Sequence, residues 1–211
     1  MERWASFDCY GTLIDWNGGI GRELERLFGS ARGGELLHTY HDLEPQIQRE
    51  RPDRSYREVM AVALSRLGAP ARALGRSLPE WQPFPEVPAA LEEARARGWR
   101  LAVLSNTDPD LLEASLARIG VEFDLTVVAS EIGSYKPAPL HWEEFFVRSG
   151  ADRAGHVHVA ASLFHDIAPA SNLGLRTIWI NRLGEEAEPQ PDVELHSLTG
   201  LGENLERLVP A

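Results

Sequence analysis

Residues 100–129 read RLAVLSNTDPDLLEASLARIGVEFDLTVVA. A short apolar run, Arg100 to Ser105, gives way to a helix-length stretch, Pro109 to Ile119. A second short apolar run follows, Leu125 to Ala129. A strand, a helix and a strand in succession, with polar Ser105-Asn106 at the first strand's end, predict a right-handed βαβ unit. The same rhythm continues outward. Downstream come a helix over Leu140 to Ser149, a strand over His156 to Ala160, a helix over Ile167 to Leu173 and a strand over Thr177 to Ile180. Upstream lie a helix over Ala89 to Arg97 and, at the start, an apolar run from Trp4 that ends in Gly11-Thr12-Leu13. The pattern predicts an α/β fold, a Rossmann-like and mostly parallel sheet covered on both faces.

Two stretches fall outside this alternation. From Gly18 to about Gly68 the apolar period lengthens: Ile20, Leu24, Leu27 and Phe28 fall at helical spacing, as do Val59, Val62, Ala63 and Leu67. Pro79 to Pro88, PEWQPFPEVP, holds four prolines, which remove backbone donors and stop helices, so it reads as a hinge. Residues 16–85 are therefore expected to form a helical insertion after the first strand. The core is expected over 1–15 and 86–211, and Glu185 to Pro191 as a solvated loop.

At 211 residues, 43% hydrophobic and 25% charged, the chain has the composition of one globular unit carrying an insertion. A net charge of -11 with no basic stretch argues against nucleic-acid partners and anionic membranes. The longest apolar runs, such as Leu101 to Leu104, fall far short of the roughly 20 residues of a membrane helix. No apolar segment follows a basic one at the start, so no signal peptide is expected. The single Cys excludes an intrachain disulfide, and the cytoplasm is the expected compartment. Of 21 basic residues only one, Lys136, is a lysine.

Chemistry-bearing residues follow apolar strands at four places: Asp8, Ser105-Asn106, Lys136, and Ser162 with Asp166. An open parallel sheet gathers its ligands at such strand ends. Singly, each has a structural alternative. Asp8 precedes a Gly turn, Asp108 or Thr107 can cap the helix after Ser105, and Asp166 with Pro169 can open a helix. Together, two carboxylates and one ammonium supply a nucleophile, a charge stabiliser and a base.

FDCYGTL (7–13), LSNTD (104–108), SYKPAP (134–139) and SLFHDIAPASNLGLRTIWINR (162–182) resemble, in order, the four motifs of the haloacid dehalogenase-like hydrolases. The helical insertion looks like that family's C1-type cap. The resemblance implies that Asp8 is the nucleophile of a covalent aspartyl intermediate. It implies that Thr12 and Ser105 hold the leaving or transferred group, that Lys136 neutralises charge, and that Asp166 is the water base or a metal partner.

Phosphatases of the family carry an Asp two residues after the nucleophile, where this chain has Tyr10, and a metal-binding Asp where it has Ser162. A phenol is a poor acid near neutrality, and Mg²⁺ prefers carboxylates. The Tyr-bearing branch is the L-2-haloacid dehalogenases, whose DAYGT motif is similar to residues 8–12 and which need no metal. The expected substrate is a small anionic 2-haloacid, with Tyr10, Asn106, Arg49 and Trp142 as substrate contacts. Arg49 follows Leu43-Glu44 at the offset of that branch's cap arginine, and its run with Arg51, Arg54 and Arg57 reads equally as a solvated face. Ala161, Leu163 and Trp142 depart from polar residues of the dehalogenase pattern. Cys9 reads as a buried small hydrophobe, the alternative being a reactive thiol, and His165 as a surface or helix-start residue, the alternative being a proton relay or partner of Asp166. No cofactor is expected. An alternative is a Mg²⁺ phosphatase holding its metal with Asp8, the Tyr10 carbonyl and Asp166, and a further one is a binding module that has lost turnover. The resemblance also admits a homodimer, although no stretch of the sequence marks an interface.

Overall fold

The computed structural model describes residues 2–211. Six strands, β1 (Arg3–Phe7), β2 (Trp99–Ser105), β3 (Leu125–Val128), β4 (His156–Ala160), β5 (Arg176–Ile180) and β6 (Val193–Leu195), form one sheet in the order β3-β2-β1-β4-β5-β6. Every pairing is parallel. The order reverses at β1, which sits between β2 and β4, so the crevice beyond the C-terminal end of β1 is the switch point where such sheets bind ligands. β1, β2 and β4 are buried almost throughout. The His-Val-His-Val-Ala of β4 reads as half-exposed, but both its histidines are fully buried. They face helix α8 (Leu140–Ser149), where His156 packs on Phe145 and His158 meets the edge of Trp142.

Between β1 and β2 the chain runs through α1 (Trp16–Phe28), α2 (Ser30–Glu50), α3 (Tyr56–Arg66), α4 (Ala73–Ser77) and a 3₁₀ turn, Leu78–Glu80. Asp15 caps α1 through Gly18 N, and Ser55 and Glu58 form a capping box on α3. Two glycines permit close packing. A Cβ on Gly19 would lie 2.3 Å from the Trp81 ring, and one on Gly33 would lie 2.7 Å from the backbone of Glu25. The proline-rich stretch runs antiparallel to the segment leaving β1. Asp15 N donates to Gln82 O (2.9 Å) and Phe84 N to Leu13 O (3.0 Å), so the chain leaves and re-enters the sheet layer side by side.

The remaining helices are α5 (Val87–Ala96), α6 (Pro109–Ile119), α7 (Ala129–Ile132), α9 (Ala168–Asn172) and α10 (Leu201–Leu208). α5 starts ahead of the expected Ala89, because a proline in a first turn forfeits no helical hydrogen bond. Asp108 stands at the N-cap position of α6 but does not cap it. Its carboxylate instead receives Tyr56 N (2.9 Å) and Arg57 N (3.0 Å), the free donors at the start of α3. Among the described residues no helix is long and apolar enough to cross a membrane.

Candidate active site

Asp8 follows directly on β1, and its N–H still pairs with Val159 O on β4 (3.1 Å). The chain then turns through Gly11, at φ 91°, a left-handed conformation that other residues rarely adopt. The turn brings Thr12 back under Asp8, where its hydroxyl donates to Asp8 Oδ2 (2.9 Å) and accepts from Ala161 N (2.9 Å). Thr12 is fully buried and absent from the cavity wall. The expectation that it holds the leaving group is therefore corrected: its hydroxyl is spent on orienting Asp8.

Lys136, 1% exposed, donates to Asp8 Oδ1 (2.9 Å), Asp166 Oδ1 (2.5 Å) and Leu104 O (2.8 Å). An ammonium has three N–H bonds, and all three are engaged. Asn106 clamps the lysine's backbone: Lys136 N donates to Asn106 Oδ1 (2.7 Å), and Asn106 Nδ2 donates to Lys136 O (3.0 Å). Asn106 thus positions Lys136 while also lining the cavity.

Asp166 lies in a single π-helical turn, Leu163–Ile167, between β4 and α9. Such turns are rare and concentrate at functional sites. The turn is capped by Ser162 Oγ, which accepts from His165 N (3.0 Å) and pairs with His165 Nδ1 (3.1 Å). Behind it runs a chain of buried groups. His158 Nε2 meets Asp166 Oδ1 (3.1 Å), and Ser6 Oγ bonds both His158 Nδ1 and His156 Nε2 at 2.8 Å. With His158 donating to the carboxylate, its Nδ1 accepts from Ser6, whose oxygen in turn accepts from His156.

Burial pushes the Asp166 carboxyl up, but Lys136 and His158 outweigh it and hold Asp166 well below the usual carboxylate range. Burial and the nearby charge of Asp166 instead raise Asp8, against the pull of Lys136 and Thr12. Burial also favours the neutral amine of Lys136, but the two carboxylates outweigh it and keep the ammonium charged.

These groups open on a cavity of about 600 Å³. Its floor is Asp8, Lys136, Asp166, Asn106 and Ser105, whose buried Oγ has no hydrogen-bond partner. His141 Nε2 meets Ser105 O at 3.2 Å, and burial pushes this imidazole down to about 3, so it donates as a neutral group. The opposite wall comes from the inserted helices: Trp16 and Asn17 of α1, His41, Glu44, Pro45 and Gln48 of α2, and Tyr56 of α3. Arg182 lines the cavity but is committed elsewhere. It pairs with Glu86 (2.7 Å), donates to Thr12 O (2.9 Å) and lies over the Phe84 ring.

Three expected substrate contacts are placed differently. The Tyr10 ring lines the cavity and stacks on Tyr56, but its hydroxyl points away to Ser115 Oγ (3.0 Å) and Leu111 O (3.3 Å). Burial raises that phenol far above its ordinary value. Trp142 is no substrate contact: it is buried between α8 and the sheet with Trp4, Leu104 and Phe145. Arg49 is exposed in the last turn of α2 and absent from the cavity wall, because the helix directs positions 41, 44, 45 and 48 inward. That inward spacing was present in the sequence, as was the His158–Asp166 offset, but neither follows a strand end.

The donors around Asp8 do not suit Mg²⁺. Asp166 Oδ1 already accepts from Lys136 and His158, and Ser162, where a further carboxylate would be required, is bonded to His165. Among the described residues no group of three or more His, Cys, Asp or Glu is placed to hold a metal.

A family model described as haloacid dehalogenase-like hydrolase matches residues 3–174. An (S)-2-haloacid dehalogenase from Pseudomonas sp. (strain YL) is 31% identical, over 95% of this chain and 93% of that one. A phosphoserine phosphatase from Thermus thermophilus is also 31% identical, over 71% of this chain and 62% of its own length. A crystal structure of an L-2-haloacid dehalogenase superposes with a TM-score of 0.86 at 26% identity, covering 97% of this chain and 98% of that one.

Proposed function

Because the chain belongs to the haloacid dehalogenase-like hydrolases, we propose that it cleaves the carbon–halogen bond of a small 2-haloacid through Asp8, without a metal or cofactor. The carrying observation is the pairing of an oriented carboxylate with a sequestered phenol. Asp8 is held by Thr12 and Lys136 at the cavity floor, while the Tyr10 hydroxyl is turned into the protein toward Ser115. A halide departs as an anion and needs no general acid, whereas an alkoxide leaving from phosphorus does.

In this reading Ser105 Oγ and Asn106 receive the substrate carboxylate. Asp8 attacks C2 in line, the halide leaves with the bonding electrons, and an aspartyl ester forms with inversion at C2. Water oriented by Asp166 then attacks the Asp8 carboxyl carbon. Asp166 takes the water proton, the Lys136 ammonium stabilises the oxyanion, and Asp166 returns the proton to the C2 oxygen as that C–O bond to the Asp8 carboxyl breaks, so that the hydroxy acid leaves and both carboxylates are restored. Residues 16–85 act as a cap over the core formed by 1–15 and 86–211, supplying the wall that faces the floor. The single buried Cys9 suits a reducing compartment, for which the cytoplasm is proposed.

The test is halide release from L-2-chloropropionate and chloroacetate in the presence of EDTA, for the wild type and Asp8→Asn in parallel. Release by the wild type that vanishes in the variant is expected. Release that persists in Asp8→Asn overturns the proposal, as does the absence of release from these acids and from longer 2-chloroacids, with or without a polar side chain.

A further inference from the structure

A three-carbon acid would use little of a cavity of about 600 Å³, a size that encloses much larger ligands. One wall of it is α2, whose inward face carries His41, Glu44 and Gln48. Glu44 is the acceptor end of a chain of donors. Trp16 Nε1 donates to Tyr56 Oη (3.0 Å), and Tyr56 Oη and Gln48 Nε2 reach Glu44 only at 3.4 and 3.3 Å. Both final contacts are long for hydrogen bonds. Glu44 makes no ion pair among the described residues. Burial pushes its carboxyl up to about 7 against the pull of the neighbouring Tyr40 and Tyr56 hydroxyls, so neutral donors alone leave it without a counter-charge.

Among the described residues, neither cation lining the cavity, Lys136 or Arg182, is free to supply that charge. Lys136 spends its three N–H bonds on Asp8, Asp166 and Leu104, and Arg182 is paired with Glu86. Trp16 and Tyr56 line the cavity with Glu44, their rings stacked on His41 and Tyr10.

We propose that the substrate carries, at the end remote from its carboxylate, a hydrogen-bond-donating group, best an ammonium, and that Glu44 receives it. This rests on the placement of the substrate carboxylate at Ser105 proposed above, and it narrows the substrate class from small haloacids to 2-haloacids with a cationic or donor-bearing side chain. A second carboxylate at that end would face Glu44 with no counter-ion and should be refused.

The test is calorimetric binding of three unreactive acids of similar length, 4-aminobutanoate, pentanoate and glutarate, to the wild type and Glu44→Gln. The wild type should bind 4-aminobutanoate roughly tenfold more tightly than pentanoate, as a hydrogen bond to a charged group provides, and glutarate least. In Glu44→Gln the ammonium preference should collapse toward unity. Pentanoate or glutarate binding as well as 4-aminobutanoate, no detectable binding of 4-aminobutanoate, or a preference unchanged in Glu44→Gln each overturns the proposal. Should Glu44→Gln fail to fold, the wild-type ranking alone decides. Halide release from 2-chloro-4-aminobutanoate and 2-chloropropionate separates the two readings. An ammonium preference without halide from either acid sinks the dehalogenase and leaves Glu44 assigned. Halide without the preference does the reverse.

Discussion

The carboxylate of Asp108, at the start of α6, closes the first turn of a different helix: it accepts from Tyr56 N at 2.9 Å and from Arg57 N at 3.0 Å. One residue of the sheet layer thereby fixes the inserted helix whose Tyr56 lines the cavity opposite Asp8. Asp108→Ala leaves those N–H groups without their acceptor. A loss of about 1–2 kcal/mol in denaturant unfolding is expected, the usual cost of removing a helix cap. A rise in KM should accompany it, measured on whichever substrate the halide assay identifies.

Lys136→Met leaves Asp8 and Asp166 buried without their shared cation. Removing one partner of a buried ion pair costs about 3–5 kcal/mol, to be read from urea unfolding at neutral pH. The deficit should shrink on acidification. In the wild type the depressed Asp166 contributes stability above the ordinary value of 3.8 that is lost as pH falls through its folded value. In the variant both carboxyls titrate high, so the folded state gains protons, and relative stability, as pH falls.

With Asp8 as the proposed nucleophile, turnover requires it ionised, and burial holds its carboxyl above the ordinary 3.8. The acid limb of kcat/KM should therefore lie above that value, with activity lost as pH falls through it. A limb below 3.8 would show that Lys136 dominates burial at Asp8.

His158→Phe keeps a ring against Trp142 and removes the donor to Asp166 Oδ1. Asp166 then loses one of the two groups that hold its orientation and its low pKa. A fall in kcat of roughly ten- to a hundredfold with little change in KM is expected, since small displacements of a catalytic group cost that much. Equal changes in both parameters would assign His158 to packing alone.

The parallel sheet was legible because its buried strands are short apolar runs, and Phe7-Asp8 and Leu104-Ser105 marked both a strand end and the site. β6 escaped because Val193–Leu195 offers three residues, too few for a period to register. The floor of the site was legible for the same reason as the sheet. The wall was not. Glu44 and Gln48 look like ordinary polar positions on a helix, and only the packing of α2 against α1 and α3 turns them toward the cavity. Arg49 failed as a contact because adjacent residues on a helix face different directions, whatever motif precedes them. Trp142 failed because a residue six positions after Lys136, on α8, packs behind the sheet in space.

The single lysine has a consequence for chemical footprinting. Acylating reagents seek an exposed, unprotonated amine, and the ε-amine of Lys136 is 1% exposed with all three hydrogens bonded. Every other basic side chain of the composition is arginine or histidine, which such reagents pass over. Acylation of Lys136, followed by mass spectrometry, would therefore time the opening of the floor itself: a slow rate in the native protein and a faster one in Asp108→Ala would give the frequency with which the cavity comes apart.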